Sequence, residues 1–161
     1  MESTESFVRR RSMLLALARI FMGALFLETW VENLSKGLYG TSGYTHFVQH
    51  YAATTSTPGY PWFIDHIVVP NAALFSRGQM VVELLFIGIP LLVGLFTPVA
   101  GVIGAGFALN LLLANLGVEW YGTYAMLVVL LLLVALSQAG RTWGVDARLA
   151  RGRWRPGVPV Y

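Results

Sequence analysis

Apolar positions run almost unbroken through residues 78–117, GQMVVELLFIGIPLLVGLFTPVAGVIGAGFALNLLLANLG, forty residues with a single charge, Glu83. A helix crosses the hydrocarbon core of a bilayer with about 20 apolar residues, so this stretch is long enough to cross twice. Thr97-Pro98 falls near its middle. The residue before a proline disfavours the α region, and proline suits the first turn of a helix. The pattern therefore predicts a helical hairpin, 75–96 and 98–116, with a carboxyl group in its first arm. A third apolar run, 12–34, contains LLALARIFMGALFL and follows Arg9-Arg10-Arg11. It continues past signal-peptide length into Glu28, Trp30 and Glu32, with no A-x-A-like cleavage site, and is read as the first span. The last, 124–138, is apolar at every position from 125 to 136. The predicted fold is all-α, an integral membrane four-helix bundle in a single membrane domain, 1–161.

The segments between the spans are less regular. Residues 35–74 form an outer loop too long for a plain connection, so it is expected to have structure of its own. It is rich in aromatics and proline, and 45–53 and 62–69 read as short amphipathic helices at the bilayer surface. Glu119, Trp120 and Tyr121 lie in a short polar connection before the last span. The tail, 139–161, is basic, with Trp143 and Trp154 as candidate interface anchors.

Composition agrees with a bilayer environment. Of 161 residues, 56% are hydrophobic and 12% charged, against about 25% charged in soluble domains; the mean hydropathy is +0.63. The absence of cysteine excludes thiol–disulfide chemistry and thiolate ligation by the chain itself. The net charge of +3 is a matter of topology and not of nucleic-acid binding. Arg9, Arg10, Arg11, Arg141, Arg148, Arg151, Arg153 and Arg155 fall on one side of the spans, and Lys36 and Arg77 on the other. Basic flanks stay in the cytoplasm. Both termini are expected there, in the cell membrane, with the long loop outside.

Polar residues within the spans are the candidate chemistry, because lipid offers them no partner. Glu83 lies ~10 Å from the outer end of its helix at the usual rise. Glu28 on the first helix and Asn110 on the third fall at comparable depth, so the three are expected to share one layer. A proton-holding carboxyl beside an amide suits a quinone carbonyl or a proton relay; it equally suits a structural hydrogen bond between helices. Arg19, Gly23, Phe26, Trp30 and Asn33 share one helical face, and Glu28, Glu32 and Lys36 another. Arg19 either snorkels to the inner headgroups or acts inside the bundle. Glu32 and Lys36 read as a surface ion pair. Ala100, Gly104 and Ala108 make a small-residue packing stripe, a weak indicator of a homo-oligomer. His46 and His50 stand at i, i+4, but only His66 or Asp65 offers a third ligand, and no metal site is expected.

The order of these pieces resembles the DoxX/DoxD family of small four-helix membrane proteins, which includes the small-subunit type of thiosulfate:quinone oxidoreductase. The resembling residues are Arg19-x-x-x-Gly23, Trp30-x-x-Asn33-x-x-Lys36-Gly37, Glu83 in VELLFIGIPLLVGLFTPVA, and Gly140-Arg141, Gly144 and Asp146 in the closing segment. They span nearly the whole chain. The resemblance implies a membrane subunit associated with quinone or sulfur redox partners. On that reading Glu83 and Arg19 carry the catalytic roles, and Glu28, Asn110, Trp30 and Asn33 hold the quinone. Electrons must come from a partner subunit, because the spans contain no haem-ligand histidine and the chain has no dinucleotide fingerprint. The alternative is a non-catalytic membrane anchor that recruits soluble redox enzymes, and after it a small-solute or proton carrier.

Overall fold

The structure, a computed structural model, describes residues 2–118 and 120–152. Glu119 and Trp154, assigned above to a connection and an interface anchor, lie outside the described residues, as does the tail from 153 onward. Among the described residues every regular element is helical. We label them α1 (Glu2–Ser35), α2 (Thr41–Thr54), α3 (Tyr60–Val93), α4 (Thr97–Ala114), α5 (Tyr121–Leu136) and α6 (Val145–Gly152). Three helices are long and apolar enough to cross a membrane: Ser6–Ser35 of α1, then α3 and α4. The apolar α5 has 16 residues, ~24 Å at the helical rise, against a hydrocarbon core of about 30 Å.

The largest departure from the sequence pattern is α3. The expected outer loop 35–74 and the separate helix 62–69 are not seen. Only residues 36–40 and 55–59 are non-helical there, and the helix begins at Tyr60, fifteen residues before the expected start at 75. It runs through Pro70 and Pro90. A helix-interior proline lacks an N–H, and its ring strikes the carbonyl four residues back. Each of the two prolines is preceded by a widened, i→i+5 bonded stretch, Ile64–Val68 and Val82–Gly88. There Val69 N–H bonds the Ile64 carbonyl and Ile89 N–H the Leu84 carbonyl. The extra residue in the turn displaces the carbonyl that the ring would meet, so the helix continues instead of breaking. The helix expected over 45–53 is present as α2.

The Thr97-Pro98 reversal is where the pattern put it. Gly94 (φ 69°) and Phe96 (φ 47°) turn the chain in the left-handed region, and α4 starts at Thr97 with Pro98 in its first turn.

Two cores hold the helices. The larger joins Met22 and Phe26 of α1, Ile87 and Leu91 of α3, Ala100 and Ala108 of α4, and Leu131 and Val134 of α5. The smaller packs Tyr44, Val48 and Ala52 of α2, spaced every four residues, on Ile64, Val68 and Ala72 in the first half of α3. The stripe Ala100, Gly104 and Ala108 is buried, with Gly104 facing Ile87 and Leu131. At Gly23 the backbones of α1 and α3 touch: a Cβ there would strike Leu92 N and lie 3.0 Å from the Gly88 carbonyl. That contact fixes the rotation of α1 and turns Arg19, Trp30 and Asn33 toward α3.

Candidate functional site

The inward face of α1 meets α3 at two polar clusters, one toward each end of the contact. At the first, Glu83 is 2% exposed and is held by three donors. Gln79 Nε2 reaches its Oε1 at 2.9 Å from one turn back on α3. Asn33 Nδ2 reaches Oε2 at 3.4 Å, and the Tyr39 hydroxyl donates a short bond to the same oxygen. Tyr39 arrives because α1 ends in a reversal at Gly37 (φ 68°), closed by Leu38 N–H on the Asn33 carbonyl at 3.0 Å. Trp30 stands behind: its Nε1 donates to the Met80 carbonyl at 3.1 Å, and its ring lies 6.1 Å from that of Tyr39. Burial, and then the bond to Glu83, push the Tyr39 phenol well above its ordinary pKa, so Tyr39 is a neutral hydroxyl. Such a hydroxyl both donates and accepts. The Tyr39–Glu83 pair can therefore keep its bond whether the carboxyl is ionised or protonated.

Glu83 and Asn33 also line a cavity of about 480 Å³, together with Lys36, Glu32, Phe26 and Phe107. That volume lies in the range of small-molecule pockets. The walls are mostly aliphatic and aromatic, and the polar groups gather at the end where α1 closes. A second cavity of about 440 Å³ lies beside it, toward α2, with Gln79 and Asn110 in its lining. Phe47, Tyr51, Phe107 and Leu111 border both.

At the other cluster Arg19 is fully buried. Its Nη1 donates to the carbonyls of Leu91 (2.7 Å) and Leu92 (3.2 Å), and its Nη2 to that of Trp143 (3.4 Å). The Leu91 and Leu92 carbonyls are among the last of α3, which have no partner within the helix and sit at the negative end of its dipole. Asp146 completes the cluster from the far side of the α3–α4 turn. Its Oδ1 accepts from Phe96 N–H at 2.7 Å and its Oδ2 from Thr97 N–H at 2.9 Å. It thereby caps the first turn of α4 in place of a local side chain. Its own N–H bonds the Gly94 carbonyl at 2.8 Å.

The six expected site residues thus divide. Glu83, Asn33 and Trp30 belong to one cluster, but Trp30 backs it and does not line the cavity. Arg19 lies fourteen residues along α1 from Asn33, ~21 Å at the helical rise. It does not share a site with Glu83, and its bonds are those of a helix clamp. It does not snorkel to a headgroup either, because its guanidinium is enclosed. The single layer of Glu28, Glu83 and Asn110 does not form. Glu28 is exposed on the α1 face that carries Glu32 and Lys36, a consequence of the Gly23 contact, which sets the opposite face against α3. Asn110 is exposed and accepts a long bond, 3.4 Å, from the Tyr60 hydroxyl. Glu32 and Lys36 pair at 2.6 Å at the surface, and His46 and His50 are exposed on α2.

Tyr39 and Gln79 were not among the expected residues. Gln79 carried a readable signal, since i, i+4 side chains meet on a helix. Tyr39 carried none, because its approach depends on the turn at Gly37. Comparison of the chain with protein-family models, with curated proteins and with solved structures finds no match.

Proposed function

We propose that the chain is a multi-pass membrane subunit of a redox system, with a quinone-type site at Glu83. The observation that carries this reading is a buried carboxyl in a hydrogen-bonded pair with a phenol, opening onto an apolar-walled cavity of about 480 Å³. The DoxX/DoxD resemblance supports it, and so does the surface: Phe21, Leu85, Val102, Leu133 and other large apolar side chains are exposed around the helices, as in a protein surrounded by lipid. On this reading α1, α3, α4 and α5 form a four-helix bundle in the cell membrane. The short α5 is accommodated by local thinning of the bilayer, and both basic termini are cytoplasmic.

The residues present fit such a ligand. Lys36 and Asn33 are donors at the polar end of the cavity, and Phe26 and Phe107 line an apolar wall. A bound quinone would supply a two-electron, two-proton acceptor, with electrons from a partner subunit. Glu83 Oε1 and Oε2 are the atoms that hold a proton for it. The Tyr39 hydroxyl takes the other side of that proton's bond, and the apolar walls exclude water.

The test is a pair of variants. Glu83→Gln keeps the shape and one acceptor oxygen, with an NH2 that the Gln79 amide can meet by turning over, but exchanges no proton at that position. It is expected to melt in detergent close to the wild type while losing at least tenfold in quinone-linked turnover with the partner. A stable Glu83→Gln variant with full turnover removes the proton role. The anchor reading then leads, and it has its own support: the three donors on Glu83 tie α1, the turn after it and α3 together. In that case Glu83→Leu alone is harmful, by leaving those donors unpaired.

A further inference from the structure

We propose that the pocket between the end of α3 and α6 binds the phosphate headgroup of an anionic phospholipid. The inference rests on the membrane reading above but not on the Glu83 site. The pocket has a volume of about 590 Å³, and Arg141, Arg148 and Arg151 line it with Trp143 and Val93. Arg148 and Arg151 stand at i, i+3 and share a face of α6; Arg141 enters from the turn before it. Three guanidinium groups around one cavity repel one another unless an anion lies among them.

The protein does not provide that anion among its described residues. Their one ion pair there is Lys36–Glu32, at the other end of the molecule. Asp146 is the acid nearest in sequence, but both its oxygens are turned to Phe96 and Thr97. Arg151 uses Nε on its own helix, bonding the Ala147 carbonyl at 3.2 Å, which leaves its terminal nitrogens free for a ligand. Two of the first amides of α6 are already used: Asp146 N–H bonds Gly94 and Ala147 N–H bonds Gly144. Recognition therefore falls to the arginine forks, whose planar donors match phosphate oxygens.

A lipid, and not a free anion, is indicated by what surrounds the pocket. Val93 at the end of α3, Phe96 before α4, Leu136 at the end of α5 and Trp143 are 39%, 63%, 80% and 59% exposed. Val93 and Trp143 belong to the pocket's own lining, so acyl chains can lie against them while the headgroup meets the arginines. Basic pockets beside spans on the cytoplasmic side bind anionic headgroups in this way.

The full chain, purified in neutral detergent, is titrated with phosphatidylglycerol and with phosphatidylcholine, and bound lipid is counted by native mass spectrometry. At least a tenfold preference for phosphatidylglycerol is expected. Arg141→Gln/Arg148→Gln/Arg151→Gln should reduce that preference to near parity. Arg9→Gln/Arg10→Gln/Arg11→Gln, which removes the same charge from the exposed start of α1, should leave it in place. A triple pocket variant that melts like the wild type yet keeps the preference overturns the proposal, as does equal loss in the two variants. If the pocket variant does not fold, Arg148→Lys/Arg151→Lys keeps the charge without the forks and should still lose severalfold; full retention counts against the site. Displacement of the lipid by 10 mM inorganic phosphate would mean a free-anion site and overturn the lipid assignment. Alkaline carbonate washing of membranes separates the two readings: a chain that washes off fails as a membrane protein, whereas one that stays but shows no lipid preference fails only here.

Discussion

Arg19 shows how little the position of a charge along a helix says about its work. A fully buried guanidinium would be costly alone, and among the described residues no carboxylate lies within ion-pair distance of it. Three carbonyls hold its terminal nitrogens instead, two at the end of α3 and one from the segment before α6, while its Nε makes no hydrogen bond among the described residues. Arg19→Met should therefore lower stability in detergent by about 3 kcal/mol, since charged hydrogen bonds contribute about 1.5–3 kcal/mol each and their buried acceptors would be left bare. Glu28→Gln, at an exposed position, should stay within about 0.5 kcal/mol. Thermal unfolding followed by circular dichroism measures both. An Arg19→Met variant as stable as the wild type would mean that the clamp contributes nothing. Turnover is also informative, because the Arg19 guanidinium bonds α3 eight residues beyond Glu83, about 12 Å at the helical rise: its loss should act through stability and not through the proton at Glu83.

At the scale of the element, two features build the Glu83 site. One is the wide turn over Val82–Gly88 ahead of Pro90, which lets α3 continue and carries Glu83 in its first residues. The other is the glycine contact between α1 and α3. Gly23→Leu should separate the two helices, because its side chain would meet the backbone of Leu92 and Gly88. The expected loss is about 3 kcal/mol, together with the Asn33–Glu83 bond. Gly106→Leu is the matched control, since a Cβ there meets nothing within 4 Å; it should be neutral or slightly stabilising, because glycine is a poor helix former. Equal destabilisation in the two would show that the cost is one of helix propensity and lipid exposure, and not of the α1–α3 approach.

For the molecule as a whole, the Arg19–Trp143 bond puts the basic segment before α6 against the half of α1 that begins with Arg9-Arg10-Arg11. The two basic clusters therefore lie toward the same end, and the proposed orientation puts that end in the cytoplasm by the positive-inside rule. The helix α2 packs on the opposite end of α3. A single cysteine at Thr54, exposed on α2, should react with an impermeant thiol reagent added to intact cells. One at Ala150, exposed on α6, should react only after lysis. Reversed labelling would invert the orientation. Labelling of both from outside would place α2 and α6 on one side and remove the four-crossing topology.

What the sequence determines by itself is set by local rules. A run of forty residues with one charge suits helices where no water can satisfy a backbone, and Thr97-Pro98 suits a reversal within it, because proline restrains its predecessor and fits the first turn of the next helix. The same logic singled out Glu83 as buried and the spacing of Arg19, Gly23, Phe26, Trp30 and Asn33 as one face, but left Arg19 open between a headgroup and the bundle interior. The rest depended on contacts distant along the chain. Whether a proline breaks a helix depends on the turn before it: the expected arm 75–96 already ran through Pro90, but Pro70 gave no sign that α3 would run through it as well. Depth along a helix is readable from its rise, but rotation is not. Glu28 and Asn110 are exposed and face away from Glu83, because the Gly23 contact set the phase of α1 and the small-residue packing set that of α4. Tyr39 reached Glu83 only through the reversal at Gly37, and Asp146 reached the start of α4 only through the folded α3–α4 turn. The Glu83 cluster is made where α1, the turn after it and α3 meet, and only tertiary structure decides where segments meet.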